Sequence, residues 1–134
     1  MLGQELVQAF GADKNYETIG WDLEEIDVTD AAEARKKITI LTPAIIINAT
    51  AYNAVDHIEE VTGLKIARKI NGLAPGYLAV ITKNLDAIFV HYSSDYVFDG
   101  QKEAGYLEND EPSLISNYGF SKLMGEQEVM RVGG

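Results

Sequence analysis

Ala44-Ile45-Ile46-Ile47-Asn48-Ala49 is an unbroken apolar, β-branched run closed by an asparagine, and Asp86-Ala87-Ile88-Phe89-Val90-His91-Tyr92 repeats the pattern further along the chain. Apolar runs without alternation are what parallel strands buried on both faces require. Between them, Gly63 to Thr82 reads as a long helix interrupted by Pro75, whose ring and missing N–H are expected to kink or break it. The residues just after Ala49 have polar loop chemistry. Upstream, Leu2, Leu6, Val7 and Phe10 fall at helical spacing, Thr18-Ile19-Gly20-Trp21 reads as a short strand ending at Asp22, and Asp27 to Asp30 caps a helix from Ala31 to Lys37. Downstream, Ser93 to Pro112 is a loop, and Ser116 to Met130 is a final helix ending near Gly133. Strand and helix alternate, so the fold class is α/β: a parallel sheet with helices on both faces, forming a single domain over residues 1–134. Such sheets hold ligands at the carboxyl ends of their strands, which points to the segments after Trp21, Ile47 and His91.

Composition narrows the function. With 21 acidic against 11 basic residues and a net charge of -10, the chain repels phosphate backbones and anionic membrane surfaces, so no nucleic acid and no membrane partner is expected. No apolar run approaches the roughly 20 residues that span a bilayer. The chain has no cysteine, hence no disulfide framework, thiolate metal site or thiol nucleophile, and it suits a cytoplasmic address. His57 and His91 lack metal-ligand spacing and are given no role; no metal is expected. Trp21 and Phe10 are read as core, and Glu103 to Glu111 as a solvated acidic loop.

The chemistry lies in Tyr118-Gly119-Phe120-Ser121-Lys122. Four residues apart on a helix, the tyrosine and the lysine point the same way. A phenol is a poor acid at neutral pH, but an ammonium fixed beside it favours the phenolate and makes proton transfer to a carbonyl oxygen feasible. A hydroxyl that orients the carbonyl would complete the site, and Ser93 or Ser94 stands at the end of the second strand. A bare tyrosine and lysine at this spacing also arise by chance, with the phenol half-buried and the lysine solvated.

The surrounding words carry more. Ser93 to Gly100 (SSDYVFDG), Tyr106 to Asp110 (YLEND) and Tyr118 to Gln127 (YGFSKLMGEQ) resemble the dTDP-4-dehydrorhamnose reductases, as do Asn48 to Glu59 (NATAYNAVDHIE) and Asn71 to Ala79 (NGLAPGYLA). These are extended short-chain dehydrogenases of the Rossmann type, which reduce the 4-keto group of dTDP-4-dehydrorhamnose with NADPH or NADH. The resemblance implies Ser94, where the family more often has threonine, as the catalytic hydroxyl, Tyr118 as proton donor, and Lys122 as the residue bridging the nicotinamide ribose. The separation, 118 − 94 = 24, suits the family's loop. It further implies Asn48, Ala49, Ala51 and Tyr52 beside the nicotinamide, Asp22 near the adenine ribose, and Asp27 and Val28 at the adenine.

Leu2 to Leu6 aligns with the end of the family's glycine-rich fingerprint, with Gly3 as its last glycine. The expectation is therefore a partial, doubly wound sheet, without the opening strand and the substrate domain and impaired in turnover. In the strand order 3-2-1-4-5-6, Thr18 to Trp21 and Ala87 to Tyr92 are then expected to lack a shared neighbour, which invites homo-oligomerisation. Two other readings share the fold: a non-catalytic nucleotide-binding or regulatory subunit, and a nucleotide-sugar epimerase or dehydratase.

Overall fold

In the computed structural model, which describes residues 1–133, the two apolar runs form the sheet. Strands β1 (Ile45–Asn48) and β2 (Ile88–His91) lie parallel and pair from Ile45 with Ile88 to Asn48 with His91. Side chains alternate along each strand, so Ile46, Asn48, Phe89 and His91 share one face and Ile45, Ile47, Ile88 and Val90 the other. On the first face, Ile46 and Phe89 pack against a core of Ile26, Ala34, Ile38, Leu78 and Ile81. The second face is open where the strands begin, with Ile45 37% and Ile88 61% exposed. Burial on both faces, expected from the unbroken apolar runs, fails at these two residues because no described element covers them.

The expected strand at Thr18 to Trp21 does not form. A strand exists by virtue of its ladder, and this stretch pairs with neither β1 nor β2. Trp21 nonetheless packs against the core, as expected. Ala87 to Tyr92 pairs with β1 along one edge, and its other edge has no strand partner among the described residues, so the neighbour it would share with Thr18 to Trp21 is absent.

Helix α1 (Leu2–Gly11) lies where its apolar spacing predicts but buries no residue, and Phe10 meets the edge of Tyr16, with ring centroids 5.2 Å apart, instead of entering the core. Helix α2 (Ala31–Leu41) starts at Asp30, whose carboxylate accepts from the amides of Ala32 and Glu33, and it continues past Lys37 while Ile38 still points into the core.

The crossover from β1 to β2 holds α3 (Val55–Ile58), α4 (Val61–Ala67), a π-helical segment Arg68–Leu73, and α5 (Ala74–Asn84). Helix α3 stands where only polar loop was expected. Its junction with α4 depends on Gly63, where a Cβ would lie 1.9 Å from the His57 carbonyl oxygen. Pro75 does not break the helical path. It sits in the first turn of α5, and the turn before it is widened so that the Ala74 amide reaches back to the Lys69 carbonyl. Helix α5 is central: it lies against both strands and contacts both α2 and α6 (Asn117–Val132). Helix α6 begins at Ser116 and ends at Gly133, whose φ of 88° is the left-handed stop that glycine accepts.

Among the described residues, no helix is long and apolar enough to cross a membrane, and no group of three or more His, Asp or Glu could hold a metal ion.

Candidate active site

The Ser116 hydroxyl accepts from the Gly119 amide at 3.0 Å, which starts α6 and sets Tyr118 in its first turn, with Lys122 one turn on. This end of α6 presses on a 3-10 turn, Asp95–Val97, that follows β2. The approach is close enough that a Cβ on Gly119 would lie 2.1 Å from the Tyr96 carbonyl oxygen. The Tyr96 ring meets that of Tyr118 edge to face, with centroids 5.2 Å apart. Ser94 caps the turn, accepting from the Tyr96 amide at 3.2 Å and donating to Asp95 at 3.2 Å. The hydroxyl, the phenol and the lysine therefore come from two abutting elements. Ser93 turns away and donates to the Glu126 carboxylate.

Lys122 is only 3% exposed, and its ammonium donates to the Tyr92 carbonyl at 2.5 Å, at the carboxyl end of β2. Burial pulls its pKa below the ordinary lysine value, while the Glu126 carboxylate acts the other way. Tyr92 takes one of three ammonium N–H groups, so the cation can still serve a ligand. The Tyr118 hydroxyl donates to Asn53 Oδ1 at 3.2 Å, long for an O–H donor and hence readily exchanged.

A residue to which the sequence reading gave no task joins these parts. Asn71, fully buried in the π-helical segment, accepts from the Tyr52 amide at 2.7 Å and returns a bond to the Tyr52 carbonyl at 3.0 Å. It also donates at 3.0 Å to Ser121, itself buried, whose hydroxyl donates at 2.8 Å to the Tyr118 carbonyl. The loop after β1 is thereby fastened to the helix bearing Tyr118 and Lys122. The one signal in the sequence is an asparagine amid small and apolar neighbours just ahead of Pro75.

The residues expected beside a nicotinamide gather at the end of β1. Asn48 is buried, its amide oxygen accepting from the Thr50 amide at 3.1 Å and hydroxyl at 2.7 Å; Ala49, Ala51 and Tyr52 follow, half-buried. The start of α1 meets them there, since a Cβ on Gly3 would touch that of Ala49 at 3.7 Å. The expected adenine side lies apart, in the segment before α2. Asp22 is exposed and caps its own turn through the Leu23 amide, Val28 leans on the core, and Asp27 accepts from the Thr29 amide and hydroxyl, which hold its carboxyl below the usual range. A desolvated cation, a phenol and a helix start converging on the strand ends fit a nicotinamide dinucleotide by the chemistry of their donors.

The family model described as "RmlD substrate binding domain" matches residues 1–133. The chain belongs to that family. A dTDP-4-dehydrorhamnose reductase of Burkholderia thailandensis is 47% identical over 92 residues, covering 69% of this chain and 30% of that protein. A probable low-salt glycan biosynthesis reductase of Haloferax volcanii is 39% identical over 115 residues, covering 86% of this chain and 38% of its own length. In structure, the chain superposes on a dTDP-4-dehydrorhamnose reductase of Bacillus anthracis, solved in complex with NADP, with a TM-score of 0.91 and 32% identity, covering 98% of this chain and 46% of the other. The chain thus spans less than half the length of these relatives. The α/β fold of this family member is that of the Rossmann-type reductases.

Proposed function

We propose that this family member carries the catalytic chemistry of a dTDP-4-dehydrorhamnose reductase, as one NAD(P)-binding domain that reduces the 4-keto group of the sugar nucleotide to give dTDP-L-rhamnose. The reduced nicotinamide of NADPH or NADH, when bound, supplies the hydride. The observation that carries the reading is the desolvated Lys122 ammonium, held on the end of β2 one helical turn from Tyr118, with Ser94 in the abutting turn.

In this reading the Tyr118 hydroxyl leaves Asn53 and gives its proton to the keto oxygen as the carbonyl carbon is reduced, and Ser94 holds that oxygen by a hydrogen bond. The phenolate left on Tyr118 is opposed by the Lys122 charge one turn away, a charge that would also hold the nicotinamide ribose. Asn48, Ala49, Ala51 and Tyr52 form the wall beside the nicotinamide, and Asn71 keeps that wall in register with Tyr118. Gly3 lets the start of α1 close on the strand end, while Asp22, Asp27 and Val28 serve the adenosine end. The substrate is a nucleotide sugar, and the cofactor pool implies the cytosol.

A thermal melt with and without saturating NADPH tests the binding step, because a ligand that binds only the folded state raises the midpoint. An unshifted transition overturns the reading. Consumption of NADPH with dTDP-4-dehydrorhamnose is expected to fall at least ~100-fold in Tyr118→Phe while the NADPH-induced shift persists.

A further inference from the structure

His91 is a partly buried titratable residue that the mechanism above does not use. It closes β2 opposite Asn48, and Asn48 Nδ2 lies 3.1 Å from His91 Nδ1. The direction of that bond is fixed by its surroundings. Asn48 Oδ1 is engaged by the Thr50 amide and hydroxyl, so the amide nitrogen is the group turned toward the ring. An amide nitrogen only donates; Nδ1 must accept, and the neutral ring carries its proton on Nε2. Nε2 is buried without a hydrogen-bond partner among the described residues. It lies beneath Gly125 of α6, where a Cβ would come within 3.3 Å of it and 2.2 Å of the Asn71 carbonyl oxygen. Gly125 is one turn beyond Lys122, and the residue after His91 is Tyr92, whose carbonyl takes the Lys122 ammonium.

We infer that His91, as the neutral Nε2–H tautomer, is a positioning residue for Lys122: locked to Asn48 and seated beneath Gly125, it fixes the end of β2 so that the Tyr92 carbonyl meets the Lys122 ammonium. The inference rests on the role given to Lys122 above. The charged groups of α6 near this strand end are Lys122 and Glu126. Burial and the Lys122 charge draw the His91 pKa down to about 4, which keeps a second cation from forming beside Lys122. Protonation would turn Nδ1 into a donor facing a donor on Asn48.

The test combines nitrogen-detected NMR of the imidazoles with the acylation rate of Lys122, read by peptide mass spectrometry against exposed Lys14. In the unmodified chain, His91 is expected to be neutral at pH 6, with Nδ1 bare and Nε2 protonated, and Lys122 to react slowly. An Nδ1–H tautomer, or an imidazolium at pH 6, overturns the inference. His91→Phe keeps the ring but loses the acceptor, and is expected to speed Lys122 acylation roughly fivefold, the factor one hydrogen bond is worth. His91→Asn, which places a carbonyl oxygen near Nδ1, is expected to restore the slow rate. A folded His91→Phe chain with unchanged acylation overturns the inference. If that variant does not fold, His91→Asn decides: a slow rate supports the inference, and a fast one overturns it. Neither readout needs the cofactor, so a chain that fails to bind NADPH refutes the proposed function while the spectra and acylation rates decide this one.

Discussion

Replacing Asn71 by alanine removes three hydrogen bonds in one step, two with the backbone of Tyr52 and one to Ser121. Each is worth about 0.5 to 1.5 kcal/mol net, and the Tyr52 N–H and C=O left behind are partly shielded from water, so a loss of about 2 to 4 kcal/mol in unfolding free energy is expected. Urea titration measures it, with an unchanged slope showing that the unfolded state is not the cause. Asn71→Asp sharpens the test. It keeps the shape but loses both donations, sets a carboxylate oxygen against the Tyr52 carbonyl and places a charge at a fully buried site, so its cost is expected to match or exceed that of alanine. Amide exchange locates the damage: the Tyr52 N–H, whose acceptor is Asn71, is expected to exchange faster in both variants, while amides of α2 change only with global stability. An alanine cost below about 1 kcal/mol, or a Tyr52 amide that exchanges no faster than α2, would refute the claim that Asn71 fastens this loop to α6.

Gly119→Ala is expected to cost about 1 to 3 kcal/mol despite alanine's better helix propensity, because its Cβ would lie 2.1 Å from the Tyr96 carbonyl oxygen; Gly11→Ala, with nothing within 4 Å, is expected to be neutral or mildly stabilising, and chemical denaturation of the pair checks the contrast. Stability is also expected to fall as pH drops from 6.5 toward 4. With the His91 pKa lowered from 6.5 to about 4, the unfolded chain binds the extra proton across that window, so the contribution is whole above pH 6.5 and fades below it. Discounted for solvent reaching part of the ring, the loss by pH 5 is about 1 to 2 kcal/mol, and urea titrations on His91→Asn should lack that share of the slope. Lys122→Met is expected to leave stability within about 1 kcal/mol, since a buried ammonium gives up much of its hydration, while weakening NADPH binding at least ~10-fold by fluorescence titration. A large stability loss with binding intact would contradict the role assigned to Lys122.

The readings that succeeded from sequence rest on local chemistry. Asp30 and Ser116 accept amide protons within their own first turns, Gly133 ends α6 with a positive φ, and the two apolar runs form the paired strands, with Ile46 and Phe89 on the core. Tyr118 and Lys122 were legible together because helix geometry alone sets them one turn apart. What was not legible depends on partners distant in the chain. Asn71 meets Tyr52 and Ser121, 19 and 50 residues away, and nothing in its own neighbourhood announces either. Thr18 to Trp21 has the residues of a strand, but a strand also needs a neighbour to pair with, and this stretch pairs with neither β1 nor β2. The rule for an ordinary α-helix puts a break at Pro75, whereas the widened turn before it lets the helical path continue into α5.

The parallel pairing of β1 with β2 also bears on how the chain folds. Residues that face one another across the two strands, such as Asn48 and His91, are 43 apart in sequence, with α3, α4, the π-helical segment and α5 between them. No hairpin can nucleate this sheet; the crossover must condense before the ladder can close, and loop-closure entropy is lost before any strand hydrogen bond is gained. The π-helical turn ahead of Pro75 lies inside that crossover, so it belongs to the stretch that must be ordered for the sheet to close, and the strong β-propensity of the isoleucine run does not assemble the sheet by itself.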